Sequence, residues 1–317
     1  MKVFITREIS EKAIHLLRKE KFQVNVYKKD KPISKKKLIK NIKDADGVIS
    51  LLTEKFDKEL IDKLSKCKVI ANYAVGFNNI DVEYAAKKKI IITNTPDVLT
   101  DSTADIAMSL ILACSRRLME GERLIRQGKF KGWQPNLFLG IELKDKIVGI
   151  VGAGRIGTEA AIRAKAFKAK IVYFSKSRNY DLEKRTGAVK LSLNNLLSRS
   201  DIVSIHLSLN EKTYRLLDEG KLSLLKKSAI IVNTARGEIV DEKELIKILK
   251  QKKIFSAGFD VYENEPAINP ELLKLDNVVL LPHIGSATEE ARTAMALLAA
   301  KNVINVLKGK QPLTPVN

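Results

Sequence analysis

At 317 residues the chain is long for one core and comfortable for two, and its 45% hydrophobic and 30% charged composition is that of a folded globular protein, not a disordered one. No run of about 20 apolar residues is present to span a membrane, and the opening "MKVFITREISEK" is broken by Arg7, Glu8, Glu11 and Lys12, so it lacks the apolar stretch of a signal peptide. The formal charge of +20 is scattered over short groups such as Lys35 to Lys37 and Lys87 to Lys89 without interleaved aromatics, which favours a lysine-rich surface over a nucleic-acid face.

The first hundred residues alternate short apolar runs with helical patterns. "VFIT" (3–6), "FQVNVY" (22–27), "GVISLL" (47–52), "KVIANY" (68–73) and "IIITN" (90–94) predict strands. Apolar residues recur every three or four positions in "SEKAIHLLRKE", "SKKKLIKNI", "DKELIDKLS" and "DVEYAAKK", which predicts helices between them, with Ser10 and Asp57 as N-caps. Cys67 falls in this part and Cys114 in the next. Both have apolar neighbours and neither has a Cys or His at ligand spacing, so reduced core thiols, no metal site and a cytoplasmic location are expected. Pro96 then ends the strand region, and the stretch from Asp101 or Ser102 to Gln127 predicts a single helix of about 25 residues.

A second alternating series begins at Lys146, with strands "KIVGIV", "KIVYFS", "DIVSIHL", "AIIVNT", "SAGFDV" and "VVLLPH" and a closing helix from about Ala287. Two such series predict an α/β protein of two parallel-sheet domains, Rossmann-like or flavodoxin-like, with a cleft between them. The expected division is residues 1–98 completed by 287–317 as the substrate-binding domain, and 99–286 as the dinucleotide-binding domain.

The turn "GAGRIG" carries Gly152, Ala153, Gly154, Arg155, Ile156 and Gly157. G-x-G-x-x-G alone is weak evidence. Here it follows a strand, opens a helix and is closed by a further strand, the context of a dinucleotide site. Gly152 suits the tight turn, Gly154 the approach of a pyrophosphate, and Gly157 the packing of helix on strand. An NAD site usually places an acid about 20 residues on, to bind the ribose 2′-hydroxyl. That place reads Ser175, Lys176, Ser177 and Arg178, with no acid before Asp181. Hydroxyl and basic groups suit a 2′-phosphate, so NADP(H) is the expected cofactor, with NAD(H) possible.

Three further segments end buried strand patterns with polar groups: Arg236 in "IIVNTARGEIVDE", Asp260 and Glu265 in "AGFDVYENEP", and His283 in "VVLLPHIGSAT". Open parallel sheets bind ligands at such carboxyl ends. Arginine forks a substrate carboxylate, histidine gives a proton to a carbonyl oxygen as hydride arrives, and a carboxylate favours the protonated imidazole. Taken singly, Arg236 has the alternative of a surface cap and Glu265 that of an ordinary loop charge before Pro266. Of the other histidines, His15 lies on an amphipathic helix, and His206 reads as a core residue or as part of the cofactor cleft.

With "NYAVGFNNID", "NTPDVLTDSTADIA", "GIVGAGRIG", "VNTARGEIVDE", "FDVYENEP", "LDNVVLLPHIGSAT" and "PLTPVN" in place, the chain resembles the D-2-hydroxyacid dehydrogenases nearly end to end, most of all their glyoxylate and hydroxypyruvate reductases. The resemblance implies that Arg236, Glu265 and His283 form the catalytic triplet. It implies cofactor contacts from Thr103, Thr234, Ala235, Asp260 and Gly285 as well as the two loops above. It implies substrate contacts from Leu52, from the amides of Val75 and Gly76, and from Arg236, with Trp133 a further candidate for the pocket wall. It also implies a homodimer joined through the region of residues 102–127 and the "GWQP" loop. One departure is Ser208, where relatives commonly have a proline that shapes the loop under the cofactor. A phosphoglycerate or larger 2-keto acid dehydrogenase, and a nucleotide-sensing binding protein related to co-repressors of this family, are the competing readings. Nucleic-acid and membrane partners are not expected.

Overall fold

The computed structural model describes all residues, Met1–Asn317, which divide into two compact units: Met1–Leu99 with Ser286–Asn317, and Thr100–Gly285. No helix is long and apolar enough to cross a membrane.

In the first unit the order is β1 (Lys2–Ile5), α1 (Glu11–Lys19), β2 (Gln23–Val26), α2 (Lys35–Ile42), β3 (Gly47–Ser50), α3 (Lys58–Ile61), β4 (Val69–Asn72), α4 (Val82–Lys87) and β5 (Ile91–Thr93). The five strands are all parallel in the order β2-β1-β3-β4-β5, a flavodoxin-like sheet. β3 and β4 are buried at every position, as central strands covered on both faces must be. Asp57 caps α3 through a 2.9 Å bond from the Leu60 amide. Ser10 precedes α1, but its side chain makes no capping bond.

The second unit opens with α5 (Thr100–Ser115) and α6 (Leu118–Arg126). The predicted single helix is thus broken. Arg117 adopts a left-handed φ of 53°, held by bonds of 2.9 and 2.6 Å to Glu120 and by stacking on Phe138. Periodicity alone does not reveal such a break, because both segments keep a helical spacing. The helix also starts at Thr100, ahead of Asp101 and Ser102, so neither of these is its N-cap. There follow β6 (Ile147–Val151), α7 (Arg155–Ala166), β7 (Lys170–Phe174), α8 (Tyr180–Thr186), β8 (Val189–Lys190), α9 (Leu193–Arg199), β9 (Ile202–Ile205), α10 (Glu219–Leu222), β10 (Ile230–Asn233), α11 (Glu242–Lys250), β11 (Ser256–Phe259), α12 (Pro270–Leu273) and β12 (Val278–Leu280).

These strands form one parallel sheet in the order β12-β11-β10-β9-β6-β7-β8. β6 stands at the reversal of strand order, where doubly wound sheets open their ligand crevice. The two-residue β8 carries no hydrophobic run and was not anticipated from the sequence. Finally α13 (Glu289–Leu307) completes the first unit, packing on α1, β3 and β4. It begins two residues after the expected Ala287, with Thr288 accepting the Ala291 amide at 3.1 Å as its cap.

Candidate active site

At the end of β6 the chain turns through Gly152 with φ +104°, where a Cβ would stand 2.7 Å from the His206 carbonyl carbon. A Cβ on Gly157 would lie 2.1 Å from the Gly152 oxygen, so only glycine lets α7 sit this close on the turn. Gly154 is different: nothing lies within 4 Å of the space its Cβ would take, and no side chain caps α7 there. That open space and the uncapped helix start fit a pyrophosphate. Arg155 is exposed and Ile156 half-buried. The carbonyl of Ala153 accepts the Asn179 amide at 2.9 Å, and Asn179 also reaches the Thr158 hydroxyl at 3.0 Å, tying the loop after β7 to the glycine turn.

That loop is less uniformly basic than its sequence. The Ser175 hydroxyl bonds to the Ser177 carbonyl, and Lys176 is exposed. Arg178, however, pairs with Glu183 at 2.9 Å and stacks over Tyr180 at 5.1 Å. Glu183 also accepts the Tyr173 hydroxyl at 2.7 Å, and Arg178 and Tyr173 together hold its carboxyl below the usual range. The acid missing before Asp181 is thus supplied to this loop from within α8. The pairing forms only once α8 starts at Tyr180 and brings Glu183 round to Arg178.

Arg236 lies just past β10. The Asn233 side chain accepts the Ala235 amide at 3.0 Å and donates to the Arg236 carbonyl at 2.8 Å, fixing this strand end. A Cβ on Gly237 would come within 2.0 Å of the Tyr262 carbonyl carbon, so the backbone after Arg236 presses directly on the segment leading to Glu265. Glu265 in turn accepts the Tyr262 amide at 3.0 Å through one oxygen and meets His283 Nδ1 at 2.7 Å through the other. His283 holds a left-handed φ of 56°, uncommon for a residue with a side chain. The turn that follows it is anchored by Asp260, 1% exposed, whose two oxygens accept the amides of Ile284 and Gly285 at 2.7 Å each.

The electrostatics follow from these contacts. Burial alone would raise the Glu265 carboxyl, but His283, the Tyr262 amide and Arg236 outweigh it and hold it below the ordinary value. Burial raises Asp260 despite the two amides it accepts. Burial also lowers the Arg236 guanidinium, with Glu265 and Glu238 opposing. His206 is pushed down to about 4 by burial, so it is neutral near pH 7. Its Nε2 lies 2.8 Å from the Ser204 hydroxyl, while its Nδ1 is buried and bonds to nothing in the protein.

Near these groups, a Cβ on Gly285 would come within 3.0 Å of Asp260 Oδ2 and 3.2 Å of the Thr103 methyl, so the start of α5 packs against this turn. Thr234, next to half-buried Ala235, buries a hydroxyl that bonds to nothing in the protein. An orphaned buried hydroxyl calls for a partner, and together with the space over Gly154 it fits a dinucleotide along these strand ends. Ser208, in place of proline, keeps its loop through its carbonyl, which accepts the Thr213 hydroxyl at 2.7 Å.

In the first unit, Leu52, Val75 and Gly76 are half-buried on loops after β3 and β4. The Leu52 loop rests on Glu54, which is 3% exposed and accepts the Thr6 hydroxyl at 2.6 Å, the Leu51 amide at 2.9 Å and the Thr53 hydroxyl at 2.6 Å. Sequence reasoning missed Glu54, since a Glu among Thr and Lys reads as a surface charge. Trp133, considered for the pocket wall, is 84% exposed in the second unit.

The chain is similar to known proteins over its full length. Residues 108–285 match the model of the D-isomer specific 2-hydroxyacid dehydrogenase NAD binding domain. The glyoxylate reductase of Thermococcus litoralis is 48% identical over 320 residues, covering 100% of this chain and 96% of that protein. A solved Thermus thermophilus protein superposes with a TM-score of 0.94 at 39% identity, covering 100% of both chains. An NADPH-dependent glyoxylate/hydroxypyruvate reductase of Sinorhizobium meliloti, solved with NADP and malonate, gives a TM-score of 0.89 at 30% identity, covering 99% of this chain and 96% of that one. With its doubly wound cofactor fold and full-length relatives, the chain belongs to the D-isomer specific 2-hydroxyacid dehydrogenases, a family of NAD(P)-dependent oxidoreductases.

Proposed function

We propose that the protein reduces glyoxylate, and with it hydroxypyruvate, to the 2-hydroxy acid with NADPH as the preferred donor. The observation that carries this reading is the 2.7 Å Glu265–His283 pair on strand ends next to Arg236. The bound reduced nicotinamide supplies a hydride to carbon 2 of the keto acid. Arg236 holds the substrate carboxylate, together with the Val75 and Gly76 amides and the Leu52 side chain. His283, bonded to Glu265 through Nδ1, presents Nε2 and gives its proton to the carbonyl oxygen, which becomes the new hydroxyl. Glu265 keeps the ring oriented. Asp260 fixes the turn that carries His283 and accepts the carboxamide of the cofactor, with Thr103, Thr234, Ala235 and Gly285 around it. Residues 1–98 with 287–317 serve the substrate and 99–286 the dinucleotide. Purified protein mixed with glyoxylate and NADPH should consume the reduced cofactor and form glycolate. Oxidation of NADPH with hydroxypyruvate or another 2-keto acid but none with glyoxylate would reject the substrate.

For the cofactor, Ser175, Lys176, Ser177 and Arg178 are assigned to the 2′-phosphate. Each charge-assisted bond is worth roughly 1.5–3 kcal/mol, and exposure reduces the net, so NADPH should bind about tenfold to a few hundredfold more tightly than NADH. Glu183 competes for Arg178, so Glu183→Gln should widen the preference. Ser175→Asp with Lys176 and Arg178 neutralised should reverse it. Dissociation constants at two salt concentrations check this, and equal NADH affinity in the unmodified protein at low salt would refute the assignment.

A homodimer is also proposed. Helix α6 buries none of its residues although it carries Leu118, Met119, Leu124 and Ile125, and Phe130, Trp133 and Leu139 follow it exposed. So much uncovered apolar surface in one segment suits a stable interface, which buries on the order of 1,000 Å² or more. Light scattering should give twice the chain mass of 35.4 kDa, and Ile125→Glu should lower it toward the monomer. A monomeric unmodified protein would dismiss the dimer.

A further inference from the structure

The turn after β4 has a feature that the reading of Val75 and Gly76 as substrate contacts does not itself explain. Three successive carbonyls are pinned inside the first unit. The Ala74 carbonyl accepts the Thr95 amide at 2.9 Å, the Val75 carbonyl accepts Asn94 Nδ2 at 2.8 Å, and the Gly76 carbonyl accepts Asn72 Nδ2 at 2.9 Å. A trans peptide is planar, with its N–H pointing opposite to its C=O. Pinning these three carbonyls therefore turns the amides of Val75, Gly76 and Phe77 the other way. None of the three amides donates to a group in the protein. Successive outward amides make a cradle for an anion.

The pins are built into the core of the unit. Asn72 is fully buried at the end of β4. Its Oδ1 accepts the Ser50 hydroxyl at 3.1 Å, and its amide also pairs with that of Asn79 at 3.1 Å. Asn79 in turn donates to the Glu54 carbonyl at 3.0 Å, joining this turn to the loop that carries Leu52. Asn94 is fixed just past β5, where its carbonyl accepts the Thr314 hydroxyl at 2.6 Å. Neither asparagine serves a helix cap or a strand ladder through its side chain.

We infer that Asn94 and Asn72 are positioning residues for 2-oxo acid reduction, which hold the 74–77 turn with its amides aimed at the substrate carboxylate. The inference rests on the reading of Val75 and Gly76 as carboxylate contacts. Losing one such bond lets a peptide rotate and should weaken carboxylate binding roughly fivefold to tenfold. The cofactor, held by the glycine turn, should be unaffected.

Three variants and two measurements test it. In Asn94→Ala and Asn72→Ser, KM for glyoxylate should rise roughly fivefold to tenfold with kcat changed by less than about twofold and the NADPH dissociation constant unchanged. Asn94→Asp keeps size and shape but sets a carboxylate against the Val75 carbonyl. It should raise KM more than Asn94→Ala does, whereas a space-filling role would make it the milder change. The second measurement is the amide resonance of Gly76 in 15N-glycine-labelled enzyme with NADPH, titrated with oxamate, an isostere of a 2-oxo carboxylate. In the unmodified protein it should shift on oxamate binding, and the shift should shrink in Asn94→Ala. If Gly76 ignores saturating oxamate in the unmodified protein, the carboxylate reading itself fails. If Gly76 responds there, and all three variants keep both the response and KM, the reading stands and the positioning role is overturned. Loss of NADPH affinity in step with loss of oxamate affinity would mark general structural damage and would also overturn it.

Discussion

His283→Ala should lower kcat for glyoxylate reduction by about two to four orders of magnitude, with NADPH affinity unchanged. The variant removes the imidazole to which the proposed mechanism gives the proton transfer. His206 cannot replace it, because its ring is buried and neutral near pH 7, with a pKa pushed down to about 4. The Glu265–His283 bond of 2.7 Å also gives the pH dependence a sign. Glu265 is held below the usual carboxylate range despite its burial, by His283, the Tyr262 amide and Arg236, so it stays ionised through neutral pH. Reduction consumes a proton, so the rate should fall on the alkaline side. In Glu265→Gln that charge is gone, and the pH optimum of kcat/KM should shift while NADPH still binds. Steady-state rates across pH with directly measured cofactor affinity check both variants. Near-normal turnover of His283→Ala at neutral pH would remove the residue from the mechanism.

Arg236→Ala should reduce kcat/KM for glyoxylate by roughly thirtyfold to several thousandfold, equivalent to about 2–5 kcal/mol. In the proposed mechanism the guanidinium pairs with the substrate carboxylate in a mostly desolvated place, where truncating one member of an ion pair leaves the other unmatched. Arg236→Lys should recover little, since an ammonium cannot reproduce a planar two-bond fork. Gly237 limits any repair by backbone movement, because its close approach to Tyr262 leaves no room to shift. Saturation curves with glyoxylate and with cofactor separate the substrate defect from a folding defect. Unchanged kcat/KM in Arg236→Ala would place the carboxylate elsewhere.

Much of this arrangement is legible in the sequence because it is local. "GAGRIG" announces its turn by spacing and by the strand before it. Arg236, Glu265 and His283 stand out because each follows a continuous apolar run, and consecutive parallel strands bring their carboxyl ends to one edge. The structure draws Glu265 to His283, and Asp260 to the turn that carries it. What stayed hidden depends on which side chains meet once the chain is folded. The helix break at Arg117 rests on Glu120 and on Phe138, more than 20 residues further on. Glu183, five residues on in α8, pairs with Arg178, so the loop after β7 looks more basic in sequence than it is in space. Glu54 and Asn94 sit among ordinary polar residues in the chain, and Asn72 is a lone amide at the end of an apolar strand. Only burial and their bonds to the Leu52 and Val75 loops distinguish them.

Hydride transfer to a 2-oxo acid is the central claim, and isotope transfer tests it most directly. The enzyme would be incubated with glyoxylate and NADPH carrying deuterium at both C4 positions of the nicotinamide, and the product examined by mass spectrometry. Glycolate with one deuterium on carbon 2 is the predicted result, since that hydrogen comes from the cofactor and the hydroxyl proton from His283. Glycolate without the label, or no glycolate while the protein still binds NADPH, would contradict it.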